Sequence, residues 1–279
     1  MSTATSSAEP GLPAKIRPEF QVGEEPPRVS FKWWWRRGRG FGAPWRVIFN
    51  AVIIFLAAQF IAGVVIALVS VDHGHTALRS MFNGSVKASF VYTGLAEGLA
   101  VVLVLWQLRR RFLTPKAIGL IKPRWRDLKR GLLGFGAFYG LLIIVSVLLN
   151  FVAPGINPNQ PQDLGFSSVN GPLDSLLAFL TLVIFPPLGE EVLVRGYLFS
   201  GLRSRLSFVK AGLITSALFG FAHLQLGGGA PPLWAAGIDT FILSLVLVYL
   251  RERTGALYAG MLVHMLNNLV AFGVHFHHL

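Results

Sequence analysis

The sequence contains no cysteine. That excludes disulfides, thiolate metal sites and cysteine-nucleophile chemistry at once. Charge is also scarce, with Asp, Glu, Lys and Arg making up only 14% of the 279 residues. Acids are the rarer sign, 13 against 25 basic residues, for a formal net charge of +12. Several protease signatures are missing as well. There is no His-Glu-x-x-His zinc helix and no Gly-x-Ser-x-Gly elbow. Gly237-Ile238-Asp239 lacks the second glycine of the Gly-x-Gly-Asp aspartyl type. Apolar residues fill the space instead: 53% of the chain is hydrophobic and mean hydropathy is +0.58. This is a membrane composition. The basic residues flank apolar spans and form no folded basic face, so their excess is read as topology and attraction to anionic lipids, with no nucleic-acid partner.

Residues 1–46 read as a disordered, basic, Trp-rich cytoplasmic tail ending in the headgroup-seeking run Lys32-Trp33-Trp34-Trp35-Arg36-Arg37. The first long apolar run begins only near Val47, so no signal-peptide core opens the chain. Residues 47–172 carry three spans (47–71, 88–107 and 131–153), with Glu97 inside the second and a basic loop over 109–130. Residues 173–279 pack four more apolar segments: 173–202, 211–224, 233–250 and 256–274. The expected fold is an all-α polytopic transmembrane bundle of seven spans with a four-helix catalytic core. A proline pair could split segment four and add an eighth helix. Charge asymmetry puts the N-terminus and the 109–130 loop on the cytoplasmic side of the cell membrane and the 154–172 loop outside.

Segment four breaks the apolar rule. Within Phe185-Pro186-Pro187-Leu188-Gly189-Glu190-Glu191-Val192-Leu193-Val194-Arg195-Gly196 stand two carboxylates and an arginine. A charge at that depth costs roughly 3 kcal/mol on insertion scales, so such residues usually mark a site. Neighbours on a helix point about 100° apart, so the two glutamates face different ways. Glu191 and Arg195 stand four apart in the favourable order and can pair as a brace, which leaves Glu190 as the working carboxylate. Pro186 and Pro187 remove two backbone donors and strand the carbonyls of Leu182 and Val183, so the helix is expected to kink or restart.

Three more polar groups recur downstream: His223 inside segment five, and His264 with Asn268 on one face of segment seven. Glu190, His223 and His264 lie 13, 13 and 11 residues from Arg203, Lys210 and Arg253. At a rise of 1.5 Å per residue these are depths of about 20, 20 and 17 Å, so the three groups can meet near mid-bilayer. Each histidine or asparagine alone more often makes an interhelical hydrogen bond. Together with a carboxylate they match what water-mediated peptide hydrolysis requires. The carboxylate takes the proton, a histidine orients water or protonates the leaving amine, and an amide donates to the oxyanion.

Glu190-Glu191-x-x-x-Arg195, Phe219-x-x-x-His223 and His264-x-x-x-Asn268, in that order, resemble the CPBP family, intramembrane proteases related to type II CAAX prenyl endopeptidases and abortive-infection proteins. The resemblance covers about residues 173–274. It implies that Glu190 activates water, His223 assists, and His264 and Asn268 form the oxyanion site, with Glu191 and Arg195 in support. Val194 departs from the family, which often has an aromatic before the Arg-Gly pair. The substrate implied is a membrane-embedded or lipid-anchored peptide.

No cofactor is assigned. The alternative is a zinc ion held by Glu190, His223 and His264, but Asn268 beside His264 looks more like an oxyanion donor than a ligand. A second reading of the chain is a non-catalytic membrane scaffold or partner-binding protein that keeps the motif as a polar packing network.

Overall fold

A computed structural model describes residues 38–72, 85–153, 166, 169–224 and 233–277. The Trp-Arg run of the tail, the Asp163 loop and the Gly227–Pro232 turn lie outside the described residues. Among the described residues there is no strand. Those residues form seven successive helices: α1 (Pro44–Asp72), α2 (Val86–Arg110), α3 (Trp125–Val152), α4 (Gly171–Arg203), α5 (Phe208–Ala222), α6 (Trp234–Thr254) and α7 (Tyr258–His277). All but α5 are long and apolar enough to cross a membrane. The chain is a polytopic all-α membrane protein.

The structure departs from the sequence expectation at two elements. The proline pair does not split segment four, which runs as one helix of 33 residues. Wider π-helical turns at Leu180–Ile184 and Glu191–Phe199 flank a short α-helical stretch, Phe185–Glu190, that contains both prolines. In a π turn the backbone bonds five residues back, and the Phe185 N–H reaches the Leu180 carbonyl in that way. The extra residue per turn absorbs the missing proline donors without a break. Segment five is also displaced from the expected 211–224, beginning at Phe208 and ending at Ala222. α5 has 15 residues, about 22 Å of helix against a hydrocarbon core of about 30 Å. His223 is therefore not inside it but caps its C-terminal end, with its N–H on the Gly220 carbonyl.

α1 packs on α2, α3 on α7, α5 on α6, and α2 crosses the Phe185–Glu190 stretch of α4. α5 and α6 approach backbone to backbone, since a Cβ on Gly220 would lie 2.7 Å from the Gly237 carbonyl oxygen. Such small-residue contacts are how membrane helices gain van der Waals packing, because lipid supplies no hydrophobic drive between them. The largest core joins Val47, Val104, Leu108, Ile118, Phe199 and Leu202. A second core sets Phe138 of α3 against Leu243, Leu247 and Val263. The outward faces of α1 and α3 stay apolar and exposed, with Phe60, Leu133, Ile143 and Phe151 among them, as a lipid-facing surface should be.

Candidate active site

The two glutamates of α4 occupy different environments. The Glu191 side chain is 1% exposed and that of Glu190 22%. Arg195 Nη1 donates to Glu191 Oε1 at 2.8 Å, with both side chains buried. The Arg195 guanidinium carbon also lies 4.2 Å from the centre of the Phe219 ring, a cation–π contact in a desolvated setting. Glu191 is thus held by Arg195, while Glu190 is the more exposed carboxylate, although its Oε2 is buried and without a partner.

His264, on α7, stands between them. Its Nδ1 lies 3.3 Å from Glu191 Oε1 and its Nε2 lies 3.9 Å from Glu190 Oε2. A carboxylate accepts, so the Nδ1 proton points to Glu191 and Nε2 is left facing Glu190. α7 can approach this closely because Gly260 has no side chain; a Cβ there would sit 3.0 Å from Glu191 Oε2.

His223 is one ring further away. Its Nδ1 meets the Phe219 carbonyl oxygen at 2.8 Å. A carbonyl cannot donate, so this nitrogen carries the proton and Nε2 is the acceptor. Phe219 separates the two histidines, with ring centres 4.5 Å from His223 and 6.0 Å from His264.

Asn268 sits one turn beyond His264. Its Nδ2 donates to the Leu182 carbonyl oxygen at 2.9 Å, and its Oδ1 lies 3.4 Å from Asn267 Nδ2. Tyr139 of α3 extends this chain through its hydroxyl, 3.4 Å from Asn267 Oδ1. An amide carries two protons, so one N–H of Asn268 remains after the bond to Leu182.

The structure therefore brings Glu190, Glu191, Arg195 and His264 into one cluster, sets His223 behind Phe219, and turns one amide proton of Asn268 to the backbone of α4. A zinc ion would need Glu190, His223 and His264 donors at about 2.0–2.2 Å. Among the described residues no three His, Asp or Glu side chains converge in that way. The described residues do not form that ligand set.

One group at the site carries no motif. Glu97 of α2 lies along Gly189, so close that a Cβ on Gly189 would fall onto its carboxylate, and it is within electrostatic reach of Glu190. In the sequence Glu97 is a lone carboxylate in an apolar span, the only signal that could have found it.

These features define a polytopic helical membrane protein with a buried Glu–Arg–His centre. Residues 172–270 match the family model described as Type II CAAX prenyl endopeptidase Rce1-like, a similarity that supports a CPBP/CAAX protease assignment for this segment. An uncharacterized 24.3 kDa protein of Escherichia coli is 35% identical over 94 residues, covering 33% of this chain and 41% of that protein. No solved structure matches the chain.

Proposed function

We propose that the chain is an intramembrane endopeptidase that hydrolyses a peptide bond in a membrane-embedded or lipid-anchored substrate. The observation that carries this reading is the position of His264, fixed by Glu191 through one ring nitrogen and facing Glu190 through the other. Glu190 Oε2 is buried and without a partner in the structure, so a water bridging it and His264 Nε2, 3.9 Å apart, enters when the site opens around a substrate. Glu190 takes the proton of that water as its oxygen bonds to the scissile carbonyl carbon. The carbon–nitrogen bond then breaks and the nitrogen leaves with the proton that Glu190 took from the water, while His223 assists from behind Phe219 as a proton acceptor through Nε2. The free N–H of Asn268 donates to the developing oxyanion. The family match to residues 172–270 supports this chemistry. The basic 109–130 loop supports a cytoplasmic N-terminus in the cell membrane.

One observation favours the scaffold reading instead: His223 and Asn268 both bond to backbone carbonyls. The two readings part in the membrane proteome. N-terminal labelling of membrane fractions from cells carrying the wild type or Glu190→Gln is expected to reveal a cleaved product in the first that persists as a precursor in the second. Identical proteomes would favour the scaffold.

A further inference from the structure

A second polar site lies at the end of the bundle where α1 begins and α2 ends. There a cavity of about 410 Å³ is lined by Asn50, Gln107, Arg110 and Arg111, with no acidic side chain among the described residues that line it. Its floor is tied to the rigid core, since Asn50 Nδ2 donates to the hydroxyl of buried Tyr197 at 3.3 Å. An aromatic stands beside it: the Arg110 guanidinium lies 4.7 Å from the Trp106 ring centre, and Trp106 is exposed.

The chemistry of this lining is specific. Two guanidinium forks and two side-chain amides present donors to a multivalent oxygen acceptor, and guanidinium matches phosphate in a bidentate way. A choline or ethanolamine cation placed among these arginines would be repelled. The level of the cavity identifies the source. Asn50 is six residues from the first residue of α1, about 9 Å inside the span. An exposed tryptophan beside arginines marks the headgroup boundary. Ile53, three residues on from Asn50 along α1, is exposed and offers an apolar surface suited to an acyl chain.

We propose that this cavity binds the phosphate of an anionic phospholipid headgroup, held by Arg110 and Arg111 with Asn50 and Gln107 and flanked by Trp106. Such a site goes beyond a general attraction of the basic face for anionic membranes. Occupancy of a defined cavity saturates and depends on the two arginines that line it, not on the number of positive charges.

The test uses the full-length protein in phosphatidylcholine nanodiscs doped with brominated phosphatidylglycerol, reading tryptophan quenching. The expected result is saturable quenching that brominated phosphatidylcholine does not reproduce. Half-saturation should move upward roughly fivefold for each of Arg110→Gln and Arg111→Gln. Lys122→Gln/Lys129→Gln, on the same face but outside the cavity, should leave it unchanged. Should the arginine variants fold poorly, Gln107→Trp keeps both charges while filling the cavity, and it should abolish saturation. The proposal is overturned if the lysine variant weakens quenching as much as the arginine variants do, or if Gln107→Trp binds as the wild type. Millimolar inorganic phosphate that removes the signal completely, with no preference for the lipid, would make this a free-anion site and overturn the headgroup assignment.

Discussion

Asn268 donates a hydrogen bond of 2.9 Å to the carbonyl oxygen of Leu182, 86 residues earlier in the chain. That carbonyl is the one the proline pair leaves without a backbone donor: Pro186 stands four residues on, the α-helical partner, and Pro187 five residues on, the π-helical one. A residue read as a catalytic amide is therefore also a repair of the α4 backbone.

The two roles of Asn268 separate by mutation. Asn268→Ala leaves a half-buried carbonyl unsatisfied, at a cost of up to about 1–3 kcal/mol, and removes an oxyanion donor, for a loss of about 10²–10³ in turnover. Adding Pro186→Ala returns a backbone donor to Leu182. The double variant is expected to regain unfolding temperature but not turnover. Recovery of both would mean that Asn268 acts only on the backbone.

The Glu191–Arg195 brace makes a different prediction. Removing either partner leaves a buried charge uncompensated, costing about 3–5 kcal/mol. Arg195→Gln should therefore lose folded protein. Glu191→Gln/Arg195→Gln should regain part of it, because a side-chain amide at position 191 keeps a carbonyl oxygen that can accept from His264 Nδ1. Thermal unfolding of the two singles and the double checks this through their coupling. Additive effects would contradict a pair in contact.

Glu97 and Gly189 form a steric pair. Gly189→Ala drives a methyl onto the Glu97 carboxylate, and overpacking of this kind costs about 1–3 kcal/mol. Glu97→Ala in the same chain opens room, so the double variant is expected to unfold at a higher temperature than Gly189→Ala alone. An equal or lower temperature would mean that α2 and α4 pack differently.

The i, i+4 spacing made the brace legible in the sequence, because both partners sit on one element and need no knowledge of tertiary packing. The shared depth of Glu190 and His264 was legible too, since each could be counted from a basic residue at the membrane edge. What was hidden depends on which faces of separate helices meet. Nothing in the α2 sequence says that Glu97 turns toward Gly189, or in α7 that Asn268 reaches Leu182. The π turns were hidden for another reason: proline predicts a lost donor but not whether the chain breaks or widens. α5 ends at Ala222 with His223 as its cap, a boundary that apolar content alone does not mark.

Chelation addresses the zinc alternative. The donors Glu190, His223 and His264 do not converge among the described residues, so turnover is expected to persist when excess chelator is added to purified enzyme. Loss of turnover on chelation, with recovery on adding zinc, would contradict this.

The most direct test of the central claim pairs two readings on one variant, cleavage of a quenched membrane peptide and thermal unfolding, for the wild type and Glu190→Gln. Glu190 is the partly exposed carboxylate outside the brace, so its amide should fold normally. Removing a general base lowers turnover by about 10²–10⁴. The expected result is that loss with an unchanged unfolding temperature. Cleavage by Glu190→Gln at the wild-type rate would contradict the assignment of Glu190 as the group that activates water.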